Sequence, residues 1–517
     1  MWEETPQSKT LLTRLKVNGF KNLVDVDVRF GPFTCIAGAN GVGKSNLLDA
    51  IAFLSVLADK PLLDAALSIR DDSGRTGDVR SLFHRVGDDY AAQMSFEAEM
   101  IVPRSGVDDL GQQAEATITF LKYSVSLAYR KNDESQSLGA LELIREDLSH
   151  IRKGDGPSHL RFPHSPGTWR RSAVVGRGSG HRSAPFISTE GDGFDRIVKI
   201  HQDGGTSGKP RSLLASSLPR TALSTANAAE GPTATLARRE MQSWRLLQLE
   251  PSALRQPDSF TAPTKLGSDG SHLAATLNRL ARSRSTTRSN SAAAVYEAQV
   301  FSRIANRLTE LIDDVRAVSV DRDERRELLT LNVTGGDGTV HPARALSDGT
   351  LRFLALAALE LDPEATGLLC LEEPENGIHP ERIPAMLRLL QDIATDTDEP
   401  LGDDNPLRQV IINTHSPAVV GEIDPSDILL AESKEDIRAD GRRFRRLSFS
   451  CLSDTWRANT GEMAIAQPGA FLPYLNPNQI QFGSPATGRA SNARHRRHRI
   501  ADREDLQIGL ELVSASE

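Results

Sequence analysis

Residues 38–45 read Gly-Ala-Asn-Gly-Val-Gly-Lys-Ser, a full match to the spacing G-x-x-x-x-G-K-S. Glycines in that pattern let backbone N–H groups turn inward around phosphate oxygens, and a helix beginning there adds its positive N-terminal end. Lys44 is then placed to reach the β- and γ-phosphates of a nucleoside triphosphate, and the Ser45 hydroxyl to hold Mg²⁺. The apolar run TCIAG (34–38) precedes the loop and NLLDAIAFLSVL follows it, a strand and a helix in the order that phosphate loops require.

Three further stretches carry chemistry. In LLCLEEPENGIHP (368–380) an apolar strand delivers Glu372 and Glu373 to its C-terminal end, where α/β sheets bind ligands. One carboxylate there can hold Mg²⁺, and the next can orient and deprotonate an attacking water. Standing alone, the segment reads more readily as an acidic loop capping a strand. Leu346-Ser-Asp-Gly-Thr350 opens the apolar helix LRFLALAALEL; Ser347 and Gly349 at its start form either a helix cap or a second anion site. In Ile411-Ile-Asn-Thr-His415-Ser-Pro a strand ends in a histidine, commonly a structural residue when isolated.

The elements that must position these residues are short buried strands at LLCL (368–371) and QVII (409–412), with a helix between them. Strands are also expected at 11–17, 24–30, 94–101, 115–130, 196–200 and 326–334. Helices are expected near 237–250, at 272–281 and over 294–315. Residues 151–220 differ in texture, with Gly, Pro and Ser supplying 27 of 70 positions, and read as loops and hairpins. The chain divides into 1–150, a basic insertion at 151–290, 291–430, and an extension at 431–517 that ends in a basic tail between Arg489 and Arg499.

The four motifs, in this order, resemble the ABC-type ATPase heads of SMC and RecF-type DNA-maintenance proteins. More closely, the chain is similar to the RecF-like AAA_21 ATPases found alone or in phage-defence operons. FKNL near the N-terminus, GANGVGKSN, LSDGT, EEPENGIHP and NTHSP carry the likeness, over about residues 10–60 and 340–420. It implies an α/β P-loop ATPase head interrupted by a central basic insertion, with ATP and Mg²⁺ as ligands. Asn40, Gly41, Gly43, Lys44, Ser45 and Asn46 would bind the nucleotide, Glu372 would associate with the metal alongside Ser45, and Glu373 would be the catalytic base. Asn376 to His379 would form the D-loop, and His415 would sense the γ-phosphate. Ser347, with Gly349, would contact ATP bound by a second copy, so that ATP clamps a dimer. Phe20, Lys21 and Asn22 would border the adenine, and Gln93 is a candidate Q-loop glutamine. The usual Asp-Glu pair is Glu-Glu here, and LSDGT replaces LSGGQ.

Composition frames these expectations. The 517 residues hold 61 Lys plus Arg and 69 Asp plus Glu, a net charge of −8, and the apolar set of 38% suffices for a sizeable core. The N-terminal stretch shows no signal-peptide pattern, no apolar run is long enough to span a bilayer, and Cys35, Cys370 and Cys451 form neither a disulfide framework nor a metal spacing. A cytoplasmic protein without membrane contact is expected. Between 151 and 290, 21 basic residues face 10 acidic ones, a balance of +11 that leaves −19 elsewhere. Such a concentration is the footprint of nucleic-acid contact, with Arg170, Arg171, Arg177, Arg182 and Arg211 among the glycines and Trp169 available to stack. Equally, it is a basic loop docking on the chain's own acidic head.

The function expected is an ATPase in DNA-linked maintenance or antiviral defence, working with a separate nuclease or toxin effector. Rival readings are a nuclease component whose cleavage centre lies in a partner (Glu432 and Asp436 being too few for one here), a transporter subunit, and an ATP-gated scaffold.

Overall fold

A computed structural model describes residues 11–69, 78–130, 140–176, 184–203, 209–283, 290–365, 367–402, 404–467 and 469. Arg177, Arg182 and the basic tail at 489–499 lie outside the described residues.

The motif-bearing strands share one seven-stranded sheet. Its order is Arg245–Leu247, Gly367–Glu372, Arg408–Thr414, Phe33–Ala37, Ile428–Ile437, Arg443–Cys451 and Ala464–Ile465. The first five run parallel to one another and the hairpin strand Arg443–Cys451 is antiparallel to its neighbour. We call Phe33–Ala37 the loop strand, Gly367–Glu372 the acid strand and Arg408–Thr414 the histidine strand. The acid and histidine strands are buried throughout, apart from the half-buried Glu372, as near-continuous apolar runs of a covered parallel sheet should be.

Strand periodicity divides the side chains between two cores. Ile36, Leu368, Cys370 and Ile411 enter the first, with the helix Lys44–Leu57 and an antiparallel sheet. Cys35, Leu369, Leu371, Val410 and Ile412 enter the second, with the signature helix Asp348–Leu361 and helices Ile383–Ile393, Leu273–Arg282 and Asn290–Thr309. The antiparallel sheet has eight strands, in the order Arg211–Leu214, Ile197–Ile200, Ile187–Glu190, Ala140–His150, Phe120–Arg130, Gln93–Ile101, Leu11–Asn18 and Val26–Arg29.

The boundaries expected at 151 and 290 do not set a separate lobe apart. Three strands of that segment extend the antiparallel sheet, Arg245–Leu247 joins the ATPase sheet, and Leu273–Arg282 packs in the second core. The helix expected over 237–250 occupies Pro232–Gln242 instead, and the helix expected to reach 315 ends at Thr309, with Val315 opening a strand. In both places apolar residues that fit a helical face are recruited by a neighbouring strand edge, which overrides the local period.

Glu146, wholly buried in the antiparallel sheet, anchors the crossing from 220 to 225. Its two oxygens accept from the N–H groups of Ala222 at 2.6 Å and Leu223 at 2.8 Å, and Tyr123 Oη donates to it at 3.2 Å. Burial is the largest influence on the carboxyl and pushes its pKa up to about 7. The folded chain therefore holds this proton more tightly than the unfolded chain. The resulting stabilisation is complete below the ordinary carboxyl range and is lost as pH rises through about 7. Denaturant titrations should find the protein less stable at pH 8 than at pH 5, and Glu146→Gln should shrink that difference. Equal pH dependence in the variant would refute the assignment.

Candidate functional site

The histidine strand lies between the loop and acid strands, and its register sets the site. Asn413 stands opposite Glu372 on one side and Ile36 on the other, and Thr414 stands opposite Ala37. The C-terminal ends of all three strands thus meet along one edge, and Gly38 N donates to Thr414 O at 3.2 Å. This is the edge at which parallel α/β sheets place ligands.

From the loop strand the chain turns through Gly41 and Gly43, both with positive φ (77° and 105°), into the helix Lys44–Leu57. No side chain caps that helix, and its first turn carries no acid, so its N-terminal N–H groups are left for an anion. Asn40 and Gly41 are exposed above it, and Ser45 and Asn46 are half-buried in its first turn. Lys44 is only 6% exposed, and its Nζ donates to the carbonyls of Gly38 at 2.7 Å and Ala39 at 3.1 Å. Desolvation lowers its pKa, opposed by the nearby charges of Glu373, Glu375 and Glu372. A triphosphate reaching Lys44 would supply the anionic partner that two carbonyl dipoles supply in part, so the residues fit such a group.

Glu373 follows the acid strand in a left-handed conformation (φ 45°) that a non-glycine residue adopts at a cost of about 1 kcal/mol or more. Asn413 holds it there, taking the Glu373 N–H on both its carbonyl and its side-chain oxygen at 3.1 Å. His415 Nδ1 approaches Glu373 Oε2 at 2.7 Å. The approach lacks hydrogen-bond alignment, and Oε2 remains a buried acceptor with no hydrogen-bond donor. A water or metal-bound water would meet that oxygen's need.

Glu375 was not singled out from the sequence. It is buried, accepts from Thr414 Oγ1, and keeps its Oε2 without a donor. Burial chiefly, and the neighbouring Glu373 carboxylate, push its pKa up to about 7. Asn22, by contrast, was placed beside the adenine, and the structure gives it another task. Its Nδ2 donates to Val42 O at 2.9 Å and its Oδ1 accepts from Asn46 Nδ2 at 2.8 Å, pinning the phosphate loop to its helix. Gly43 must be glycine here because a Cβ would overlap the Asn22 side chain. Phe20 is buried against Phe53 and Phe96, so it cannot border a base, and Lys21 pairs with Asp49 at 2.6 Å. Gln93 is an exposed residue opening a strand of the antiparallel sheet.

Ser347 caps the signature helix, its Oγ accepting from Thr350 N at 3.2 Å, and it is exposed. Gly349 is buried; its Cα lies so close to the Gly377 carbonyl that a Cβ would overlap it. Its close approach to Gly377 packs the start of the signature helix on the Asn376–His379 turn. Asn376, Gly377 and His379 are exposed beside it. Ser347 is therefore joined to the Asn376–His379 turn of its own chain, while the phosphate loop is joined to the acid and histidine strands.

Part of the insertion's charge is matched within the chain. Arg196 pairs with Glu142, Arg238 and Arg239 with Asp109, Arg255 with Asp348, Lys265 with Glu364, and Arg279 with Asp362. Trp169, proposed to stack on a base, is fully buried against Phe162 and His164 and cannot do so. Arg170 is half-buried, Arg171 is exposed, and Arg211 lies 4.0 Å from Glu230. Of the acids considered for cleavage, Asp436 pairs with Arg446 at 2.8 Å and Glu432 is half-buried on the same hairpin strand. Among the described residues no helix is long and apolar enough to cross a membrane.

A glycine loop on a parallel strand, a buried lysine at the head of the next helix, and carboxylates at the end of a strand two places away define a P-loop ATPase of α/β fold. The chain belongs to the AAA_21 family, described as "AAA domain, putative AbiEii toxin, Type IV TA system", which matches residues 33–172 and 271–421. The match passes over 173–270, most of the insertion. Curated relatives include the DNA replication and repair protein RecF of Porphyromonas gingivalis, 46% identical over 46 residues, and that of Paenarthrobacter aurescens, 39% identical over 59. These stretches cover 9% and 10% of this chain and 13% and 15% of the relatives, so the chain spans only about a seventh of their length. Among solved structures, an SMC head bound to the C-winged helix domain of ScpA aligns over 86% of this chain and 98% of its own, at 11% identity and TM-score 0.41. The SMC head domain from Thermotoga maritima aligns at 12% identity and TM-score 0.35, over 86% and 99%. The family match and the sheet-edge geometry together make the chain an AAA_21 P-loop ATPase of α/β fold.

Asn22→Ala removes two hydrogen bonds that hold the loop, each worth about 1 kcal/mol, so nucleotide affinity should weaken about tenfold. Titration with a fluorescent ATP analogue reads this directly, and an unchanged dissociation constant would dismiss the clamp.

Proposed function

We propose that the protein is a cytoplasmic, Mg²⁺-dependent ATPase whose complete site is assembled from two copies. The observation that carries this reading is Glu373, held by Asn413 at the strand edge with a buried, donor-free oxygen beside His415 and within the field of Lys44.

Lys44 and the N–H groups of the phosphate loop bind the triphosphate, with Asn40, Gly41, Gly43 and Asn46 shaping the cradle. Ser45 and Glu372 are the side chains that would hold Mg²⁺, which neutralises charge developing on the phosphates. Glu373 orients the attacking water and accepts its proton. His415, 2.7 Å from the Glu373 carboxylate at the end of the neighbouring strand, senses the γ-phosphate. Ser347 of the partner subunit closes the site over the exposed Asn40 and Gly41. The exposure of Ser347, Asn376 and His379 supports this.

Work in DNA-linked maintenance or antiviral defence, with a separate effector, follows from kinship with a family described by toxin–antitoxin function and with RecF. A nucleic-acid surface on 151–290 is supported by the segment's composition, whereas its paired arginines and buried Trp169 favour docking on the chain's own head.

Glu373→Gln removes the proton acceptor while leaving the phosphate cradle intact. Turnover should fall by about 10²–10⁴-fold with nucleotide affinity unchanged. Mass measurement with ATP should then find the variant dimeric. Wild-type rates in the variant would sink the proposal.

A further inference from the structure

The end of the insertion is bonded to both halves of the proposed ATP site. Arg245–Leu247 pairs in parallel with the acid strand, Arg245 opposite Leu369 and Leu247 opposite Leu371. The chain beyond is fastened to the next turn by Gln248 N to Ser268 O at 2.8 Å and Glu250 N to Asp269 O at 2.7 Å. Leu254 is buried in the second core, and Arg255 N donates to Pro251 O at 3.1 Å. The backbone that carries Arg255 is therefore fixed before its side chain makes any contact.

Its guanidinium reaches the signature loop. Arg255 Nη2 donates to Leu346 O at 3.1 Å and to the Asp348 carboxylate, the residues on either side of Ser347. Arg352, one turn into the signature helix, completes the junction. Its Nε donates to Leu249 O at 3.0 Å and its Nη1 to the Asn376 carbonyl, where Gly349 meets Gly377. Arg255 and Asp348 are 29% and 52% exposed, so their pairing adds little to overall stability. What two bonds from one planar group do contribute is orientation, since they fix the carbonyl before Ser347 and the side chain after it.

We propose that Arg255 is a positioning residue of the composite ATP site, holding the signature loop so that Ser347 is offered to a second copy in register with the strand that carries Glu372. This inference rests on the two-copy ATPase reading above. It gives the insertion a role inside the ATPase cycle: a displacement of its closing segment is a displacement of the signature loop.

The test compares full-length wild type, Arg255→Ala, Arg255→Lys and Asp348→Ala, the dimer measurements being made in the Glu373→Gln background. Arg255→Ala should lower turnover and weaken the ATP-dependent dimer by on the order of tenfold or more, the scale of one lost charge-assisted hydrogen bond. Binding of a fluorescent ATP analogue to the monomer and the thermal midpoint should stay at wild-type values. Arg255→Lys, which keeps the charge on a shorter side chain, should recover only part of the loss, and adding Asp348→Ala to Arg255→Ala in a double variant should change little. A wild type that turns over ATP and dimerises while Arg255→Ala matches it overturns the inference alone. So does a variant whose nucleotide affinity and thermal midpoint fall along with turnover. A wild type that neither turns over ATP nor dimerises overturns the reading above as well.

Discussion

Lys44 is a cation removed from water at the edge of a parallel sheet, and an isolated charge in such a place would be costly. Two carbonyls of its own loop and the carboxylates of Glu372, Glu373 and Glu375 offset that cost. The carboxylates come from a segment more than 320 residues away, so the balance exists only when the acid, histidine and loop strands are in register. Folding of the two sequence halves and charging of the site are thus one event. The same arrangement keeps three carboxylates close together, and the burial of Glu375 near its neighbour shows the strain of doing so. A triphosphate bound here would relieve Lys44 and add anionic charge at once, and a divalent cation would offset that added charge.

The insertion resolves a second imbalance. Read along the sequence, +11 against −19 suggests a surface awaiting a polyanion. In space, five arginines from 196 to 279 meet acids from 109 to 364, so the rest of the chain takes up part of that balance. Most of these pairs are partly exposed and each adds about 0–1 kcal/mol. Arg279 with the buried Asp362 is the better shielded case. Their sum matters less than their direction: they select how the segment lies across both sheets, and they leave fewer cations on offer.

The phosphate loop, Glu373 and His415 were legible because each is a local pattern with a strand before it, and the strand's end determines where the residue stands. Asn22 and Asn413 were not legible in their actual roles, because a clamp between chain positions 22 and 42, or 413 and 373, leaves no spacing to read. Glu375 stood in plain view within EEPE, yet what distinguishes it is Thr414 on the adjacent strand. Glycine serves both anion loops and close packing, and the approach of Gly349 to the Gly377 carbonyl leaves no spacing to read along the chain. Arg245–Leu247 could not be foreseen, since three residues become a strand only beside an existing edge. Trp169 shows the converse error: an aromatic among glycines looked available, and burial with Phe162 removed it.

The two strained or crowded points of the site have a common logic. Glu373 sits in left-handed backbone and Gly349 presses on Gly377, so neither the acid turn nor the signature loop can relax without the other giving way. Residues 373 and 377 are four apart, and the backbone between them is stitched by Asn376 N to Glu373 O and Ile378 N to Glu375 O. A shift that rotates Glu373 toward a water therefore pushes on Gly377, and through it on the helix that Ser347 caps. On the proposed two-copy reading, a second copy pressing on Ser347 would act on Glu373 by the same route. Coupling between the proposed dimer contact and that carboxylate would need no long-range wire, since one tight turn of six residues spans both.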